Sequence, residues 1–114
     1  MSFLDLLRRL HEQRRRYLED LPRYLSLIKE AALRRDPAAE VYLFGSYAEG
    51  AARPDSDVDV LIVTELAAVE EARARLRMEI DDALGRPNPF ELHIVTQAQY
   101  REWYARFIRR QVKI

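Results

Sequence analysis

The sequence contains no cysteine, so disulfide staples and thiolate metal sites are excluded. No apolar run approaches the roughly 18–20 residues that a bilayer-spanning helix needs, and no signal-peptide pattern is visible. No membrane partner is therefore expected, and a cytoplasmic location follows by default. Glycine is scarce, with three residues at positions 45, 50 and 85. Lysine is nearly absent beside arginine, which says nothing about chemistry. No segment repeats and none is low in complexity, so solenoids and disordered tracts are not indicated.

What is present suits one small globular domain. A chain of 114 residues can bury roughly two-thirds of the surface its unfolded form exposes. The formal net charge is zero, yet it is unevenly spread. Residues 1–36 carry a balance of +3, residues 37–96 a balance of −7 and residues 97–114 a balance of +4. The basic ends could face an acidic partner, nucleic acid or each other, or balance charge within a homo-oligomer.

The most informative stretch begins at Val41-Tyr42-Leu43-Phe44, a short β-branched and aromatic run that reads as a buried strand. Gly45 ends it with a residue that tolerates positive φ and lets backbone N–H groups approach a ligand. Ser46 adds a hydroxyl, and Tyr47 to Gly50 can form a helical turn whose N-terminus favours an anion. Arg53-Pro54-Asp55-Ser56 is turn chemistry. Asp57 to Val63 then reads as a second strand, in which Asp57 and Asp59 share a face with Cα atoms roughly 6.6 Å apart. Two carboxylates held this way repel unless a cation lies between them. A two-metal arrangement is the usual solution for in-line displacement at phosphorus. Chance would produce these four identities at fixed spacing about once per thousand chains.

Gly45-Ser46, ten residues, then Asp57-Val58-Asp59 resembles the signature of the DNA polymerase β-type nucleotidyltransferases. The short chain resembles their minimal branch, the MNT proteins, which are commonly paired with HEPN-domain partners. The resemblance implies a nucleotidyltransferase fold, two Mg²⁺ ions, ATP as substrate and three acidic metal ligands. Asp57 and Asp59 supply two. Glu91, in the alternating run Phe90-Glu91-Leu92-His93-Ile94-Val95, is the choice for the third and for the acceptor of the attacking hydroxyl's proton. Aspartate is the more usual residue there, so Glu91 departs from the pattern by one methylene. Glu49 stands where related sequences often carry a basic residue before the second glycine. Arg53 is the candidate substitute for that phosphate contact, or else a surface arginine. His93 is open to three readings, as a ligand, a phosphate contact or a half-buried strand histidine, and the last is preferred.

The rest of the chain reads as helices around this site. Phe3 to Arg35 is helix-like, with Leu7, Leu10, Tyr17, Leu21, Leu25 and Ile28 on one stripe, and Pro22 should break it near Asp20. The leucines of its first half either pack on a subunit or partner or fold back onto the domain. Val69, Ala72, Leu76, Ile80 and Ala83 form a second stripe that Gly85 and Pro87 terminate. Thr96 and Gln99 make a capping box for a last helix. Its aromatic residues Tyr100, Trp103, Tyr104 and Phe107 either pack in the core or, beside Arg109, Arg110 and Lys113, stack on a base or grip a partner. The expected architecture is α/β, a small mixed sheet with helices packed on one face. Residues 1–36 form an N-terminal helical arm and 37–114 the minimal catalytic domain.

By the resemblance, the function is transfer of AMP from ATP to a hydroxyl, a tyrosine of a HEPN toxin, which makes the chain an antitoxin. A chain this short leaves little for a substrate-binding domain, so a protein acceptor is attractive. A non-catalytic antitoxin that neutralises by binding, favoured by Glu49 and Glu91, is the first rival. A small-molecule nucleotidyltransferase is the second.

Overall fold

The computed structural model describes residues 1–114. Helix α1 (Phe3–Glu19) opens with a reciprocal capping box in which Ser2 Oγ accepts from the Asp5 N–H and the Asp5 carboxylate accepts from the Ser2 N–H. It stops at Asp20. Pro22, which cannot donate to the preceding turn, sits in the first turn of α2 (Leu21–Arg35), where no donor is needed. The break falls where proline chemistry requires it.

Four strands, β1 (Glu40–Phe44), β2 (Val58–Val63), β3 (Phe90–Val95) and β4 (Gln111–Lys113), form one mixed sheet in the order β3-β2-β1-β4. β1 runs antiparallel to β2, and β2 runs parallel to β3. The parallel pair needs a crossover. Helix α4 (Glu70–Leu84) supplies it. Between β1 and β2 lies the short helix α3 (Gly45–Glu49). No helix is long and apolar enough to cross a membrane.

Strand alternation divides the side chains between two faces. Val41, Val58, Val60, Ile62, Leu92 and Ile94 point to the face covered by α2 and α4, where they meet Leu25, Ile28, Leu76 and Ile80. Ile28, Ile80, Val58, Val60 and Ile62 are completely buried there. In α4 the buried stripe runs Leu76, Ile80, Leu84, so Leu84 takes the place expected of Ala83, and Val69 is an exposed cap residue. A leucine four residues beyond Ile80 reaches the sheet, while the alanine one step away faces water. Thr64, buried at the end of β2, donates from its hydroxyl to Asp36 at 2.6 Å and so ties the strand to the end of α2.

The opposite face carries Tyr42, Phe44, Asp59, Leu61, Glu91, His93 and Val95. A helical segment over 97–107 lies across part of it, opened by the expected Thr96–Gln99 capping box. This segment widens to a π turn at Tyr100–Tyr104. The turn splits the aromatic stripe. Tyr100 and Tyr104 pack on Tyr42 and Phe44, whereas Trp103 and Phe107 are 63% and 65% exposed. Strand β4 (Gln111–Lys113) then returns along β1, pairing Leu43 with Val112. It was not expected from Gln-Val-Lys, too short to show an alternation of its own.

Helix α2 belongs to the core. Helix α1 buries no residue fully, and of its hydrophobic side chains Tyr17 and Leu18 in the last turns pack against the core. Tyr17 donates to the Leu84 carbonyl at 2.8 Å. Phe3, Leu4, Leu6 and Leu10 remain exposed.

Candidate active site

The end of β1 and the start of β2 meet because the two strands are antiparallel and Phe44 lies opposite Asp59. Directly after Phe44 the chain must turn over the sheet edge. Gly45 does this with φ of +71°, a region that L side chains adopt at a cost. It also passes against Asp59 so closely that a Cβ at position 45 would lie 2.3 Å from Asp59 Oδ2 and 3.1 Å from its Cβ and Cγ. The glycine and the second aspartate of the motif are therefore one packed unit. Ser46 follows Gly45 in the turn of α3, and Gly50 caps that turn in the left-handed region.

On the other side, β3 runs parallel to β2 with Glu91 in register with Asp59 and His93 with Leu61. Asp59, Glu91 and His93 bring one ligand atom each to within 4.8 Å of one another. His93 Nε2 lies 3.3 Å from Asp59 Oδ1 and 3.7 Å from Glu91 Oε1. Its other nitrogen, Nδ1, lies 3.2 Å from the Tyr104 hydroxyl. Phe44 and Tyr104 each set a ring edge-to-face on the imidazole, at 5.0 and 5.6 Å between centroids. Burial, with the nearby Glu91 charge, raises the Tyr104 phenol above its ordinary pKa and keeps it neutral, while Arg77 opposes the shift.

Asp57 stands apart from this cluster. It precedes β2, its side chain is 61% exposed, and Arg14 of α1 approaches it to 3.6 Å. The same guanidinium donates to the Pro54 carbonyl at 3.0 Å and to the Ser56 carbonyl. Arg53 to Ser56 form the expected turn, with the Arg53 N–H donating to Ser56 Oγ and the Ser56 N–H to the Arg53 carbonyl. Arg53 itself is exposed and takes no part in an ion pair among the described residues. The site thus gathers Gly45, Ser46, Asp59 and Glu91, adds His93 and Tyr104, and leaves Asp57 and Arg53 at its rim.

Arg14 was not singled out from the sequence. It sits in the run Arg14-Arg15-Arg16, and nothing local distinguishes the one that reaches across the chain. Its role makes a prediction. Arg14→Ala should free the 53–57 loop, costing about 1–2 kcal/mol for the lost charge-assisted hydrogen bonds. Hydrogen exchange should show faster exchange at Ser56 and along α1 while β2 and β3 stay protected. Unchanged exchange in α1 would mean that Arg14 does not hold the helix in place.

As they stand, Asp59, Glu91 and His93 fit one divalent cation, since three ligand atoms of suitable chemistry converge from two adjacent strands. Asp57 is not among them, and one of its oxygens faces Arg14 at 3.6 Å. Two acidic strand residues beside a glycine turn are the arrangement expected of phosphate chemistry. The nucleotidyltransferase domain model matches residues 25–113. The chain belongs to the nucleotidyltransferase domain family. A crystallised protein assigned as a nucleotidyltransferase is 32% identical, with 76% of this chain and 92% of that one aligned and a TM-score of 0.66. A second such protein, from Sulfolobus solfataricus, is 24% identical over 84% of this chain and 83% of its own, with a TM-score of 0.48. A toxin–antitoxin crystallised with AMP-PNP is 26% identical over 60% of this chain and 55% of its own, with a TM-score of 0.45. No curated protein matches. In this nucleotidyltransferase domain the matched region takes in most of α2 and leaves α1 outside.

Proposed function

We propose that the chain transfers AMP from ATP to a hydroxyl of a partner protein, a tyrosine of a HEPN-type toxin, and acts as its antitoxin. The observation that carries the transfer reaction is the packing of Gly45 on the Asp59 carboxylate with Glu91 alongside. It joins the phosphate-facing turn to the acidic strand pair. Gly45 and Ser46 hold the β- and γ-phosphates, and Arg53, exposed at the rim, supplies positive charge to them. Asp57, Asp59 and Glu91 hold divalent metal, two Mg²⁺ ions in this reading. When bound, the metal neutralises phosphate charge and acidifies the attacking hydroxyl. The acceptor oxygen bonds to the α-phosphorus as the bond from that phosphorus to the bridging oxygen breaks. Pyrophosphate leaves with the electron pair, and Glu91 takes the hydroxyl proton. Positioning and charge supply most of the rate.

Two features support a nucleotide and a protein acceptor. A cleft of about 310 Å³ adjoins Gly45 and is walled by Phe44, Trp103, Tyr104 and Phe107, which suits the flat adenine ring. The exposed leucine face of α1 suits a helical partner. The Arg14–Asp57 pair favours a second reading, a binding-only antitoxin, because it draws one oxygen of a carboxylate that the reaction needs toward α1. Intact-mass spectrometry of the HEPN-type partner after incubation with this chain, ATP and Mg²⁺ separates the two. A gain in whole AMP units, absent when positions 57 and 59 carry Asn, is expected. A stable complex with no mass gain would leave binding as the function.

A further inference from the structure

The ligand atoms that converge on the open face of the sheet are not the all-carboxylate set that the sequence motif suggests. We propose that one of this chain's cations is held through Asp59, Glu91 and the Nε2 atom of His93, leaving Asp57 to any second ion, and that the imidazole biases this position toward a first-row transition ion, with Mn²⁺ as the probe, over Mg²⁺. The inference rests on the nucleotidyltransferase reading only in taking the site's ligand to be a divalent cation.

Geometry comes first. Two atoms bound about 2.1 Å from one ion at octahedral or tetrahedral angles lie roughly 3.0–3.4 Å apart. His93 Nε2 sits 3.3 Å from Asp59 Oδ1 and 3.7 Å from Glu91 Oε1, so small side-chain movements bring all three onto a shared ion. Asp57, the carboxylate that would otherwise complete the set, is turned toward Arg14. His93 occupies the side of Asp59 that faces β3.

The Tyr104 hydroxyl, 3.2 Å from Nδ1, serves either tautomer, because a hydroxyl can donate or accept. Without an ion, Nε2–H is the form that can donate to the Asp59 carboxylate. With a cation bound, the proton moves to Nδ1, where Tyr104 Oη accepts it, and the Nε2 lone pair is free for the ion beside Asp59 and Glu91. Phe44 and Tyr104 flank the ring and fix its plane before any ion arrives. Tyr104 is thereby a positioning residue. The preference follows from ligand chemistry. Mg²⁺ favours oxygen donors and retains water, whereas affinity for a site with imidazole rises along the first transition row from Mn²⁺.

The chain has two histidines, His11 and His93, and His11 lies exposed on α1, so a nitrogen signal can be assigned. The full chain without nucleotide would be titrated with Mn²⁺ and with Mg²⁺ by calorimetry. Electron spin-echo envelope modulation would then test for nitrogen coupled to bound Mn²⁺. Coupling is expected in the wild type and in His11→Gln, and should vanish in His93→Gln. Mn²⁺ affinity should fall at least ~10-fold in His93→Gln and ~10-fold in Tyr104→Phe, with a smaller loss for Mg²⁺ in both. Should His93→Gln fail to fold, the wild type and His11→Gln still decide. Absence of nitrogen coupling in the wild type, whether or not Mn²⁺ binds, or its persistence in His93→Gln, overturns the proposal. AMP transfer without nitrogen coupling sinks this inference alone. Nitrogen coupling with no transfer sinks the functional reading and leaves the cation site standing.

Discussion

Asp59→Asn is expected to lower AMP transfer by roughly 10²–10³-fold or more while leaving the fold intact, because it removes charge at the point where phosphate and metal must meet. Asparagine keeps the shape that Gly45 packs against and can still meet His93, so the change is electrostatic. Asp59 lies outside the core, its side chain 25% exposed, and it sits in register with another carboxylate, Glu91. In the absence of metal, neutralising one of two adjacent carboxylates relieves repulsion. The melting temperature of the metal-free variant should therefore match or slightly exceed that of the wild type. Added Mn²⁺ or Mg²⁺ should stabilise the wild type and not the variant, since only a ligand that binds the native state raises its stability. A variant that loses transfer and also melts early would indicate that Asp59 is structural. Retention of full transfer would remove the carboxylate from the reaction.

Much of this arrangement was legible because strands have a period of two. Placing Val58, Val60 and Ile62 inward forces Asp59 and Leu61 outward, and the same parity puts Glu91 and His93 on that face. Chemistry at helix ends was equally readable, since Pro22, Gly85 and the Thr96–Gln99 box act through local backbone groups. What stayed hidden depends on partners far along the chain. Among the three readings open to His93, the sequence favours a half-buried strand histidine over a ligand or a phosphate contact, because nothing near it in sequence reveals Asp59, 34 residues away, or Tyr104. Arg14 meets Ser56 across 42 residues, and no local pattern marks it. Asp57 has the right parity for the cluster, yet it precedes the first paired residue of β2, so its side chain is free to turn toward α1. Parity assigns a face only where a ladder holds the backbone.

Gly45→Ala should be the more damaging of two superficially equal changes, and the comparison with Gly50→Ala isolates the reason. Both glycines adopt φ of +71°, so alanine at either carries a similar backbone strain of roughly 1–2 kcal/mol. A Cβ at position 50 meets nothing within 4 Å. At position 45 it would fall 2.3 Å from Asp59 Oδ2, with Asp59 Cβ and Cγ at 3.1 Å. Rotating the carboxylate away cannot relieve all three contacts, because the Cβ is fixed to a strand held between β1 and β3. Asp59 must shift, or β1 and β2 must part at their ends, and either displaces the carboxylate from Glu91 and His93. Misplacement of a reacting group by about 1 Å costs on the order of 10²-fold in rate. Gly45→Ala should thus lose roughly that factor in transfer and weaken cation binding as well, and its loss of stability should exceed that of Gly50→Ala. Gly50→Ala should lose stability and keep most of its transfer rate. Denaturant melts, cation titration and transfer assays on the pair give the answer. Equal behaviour of the two variants would show that positive φ alone explains the glycine, and that its closeness to Asp59 has no part in the chemistry.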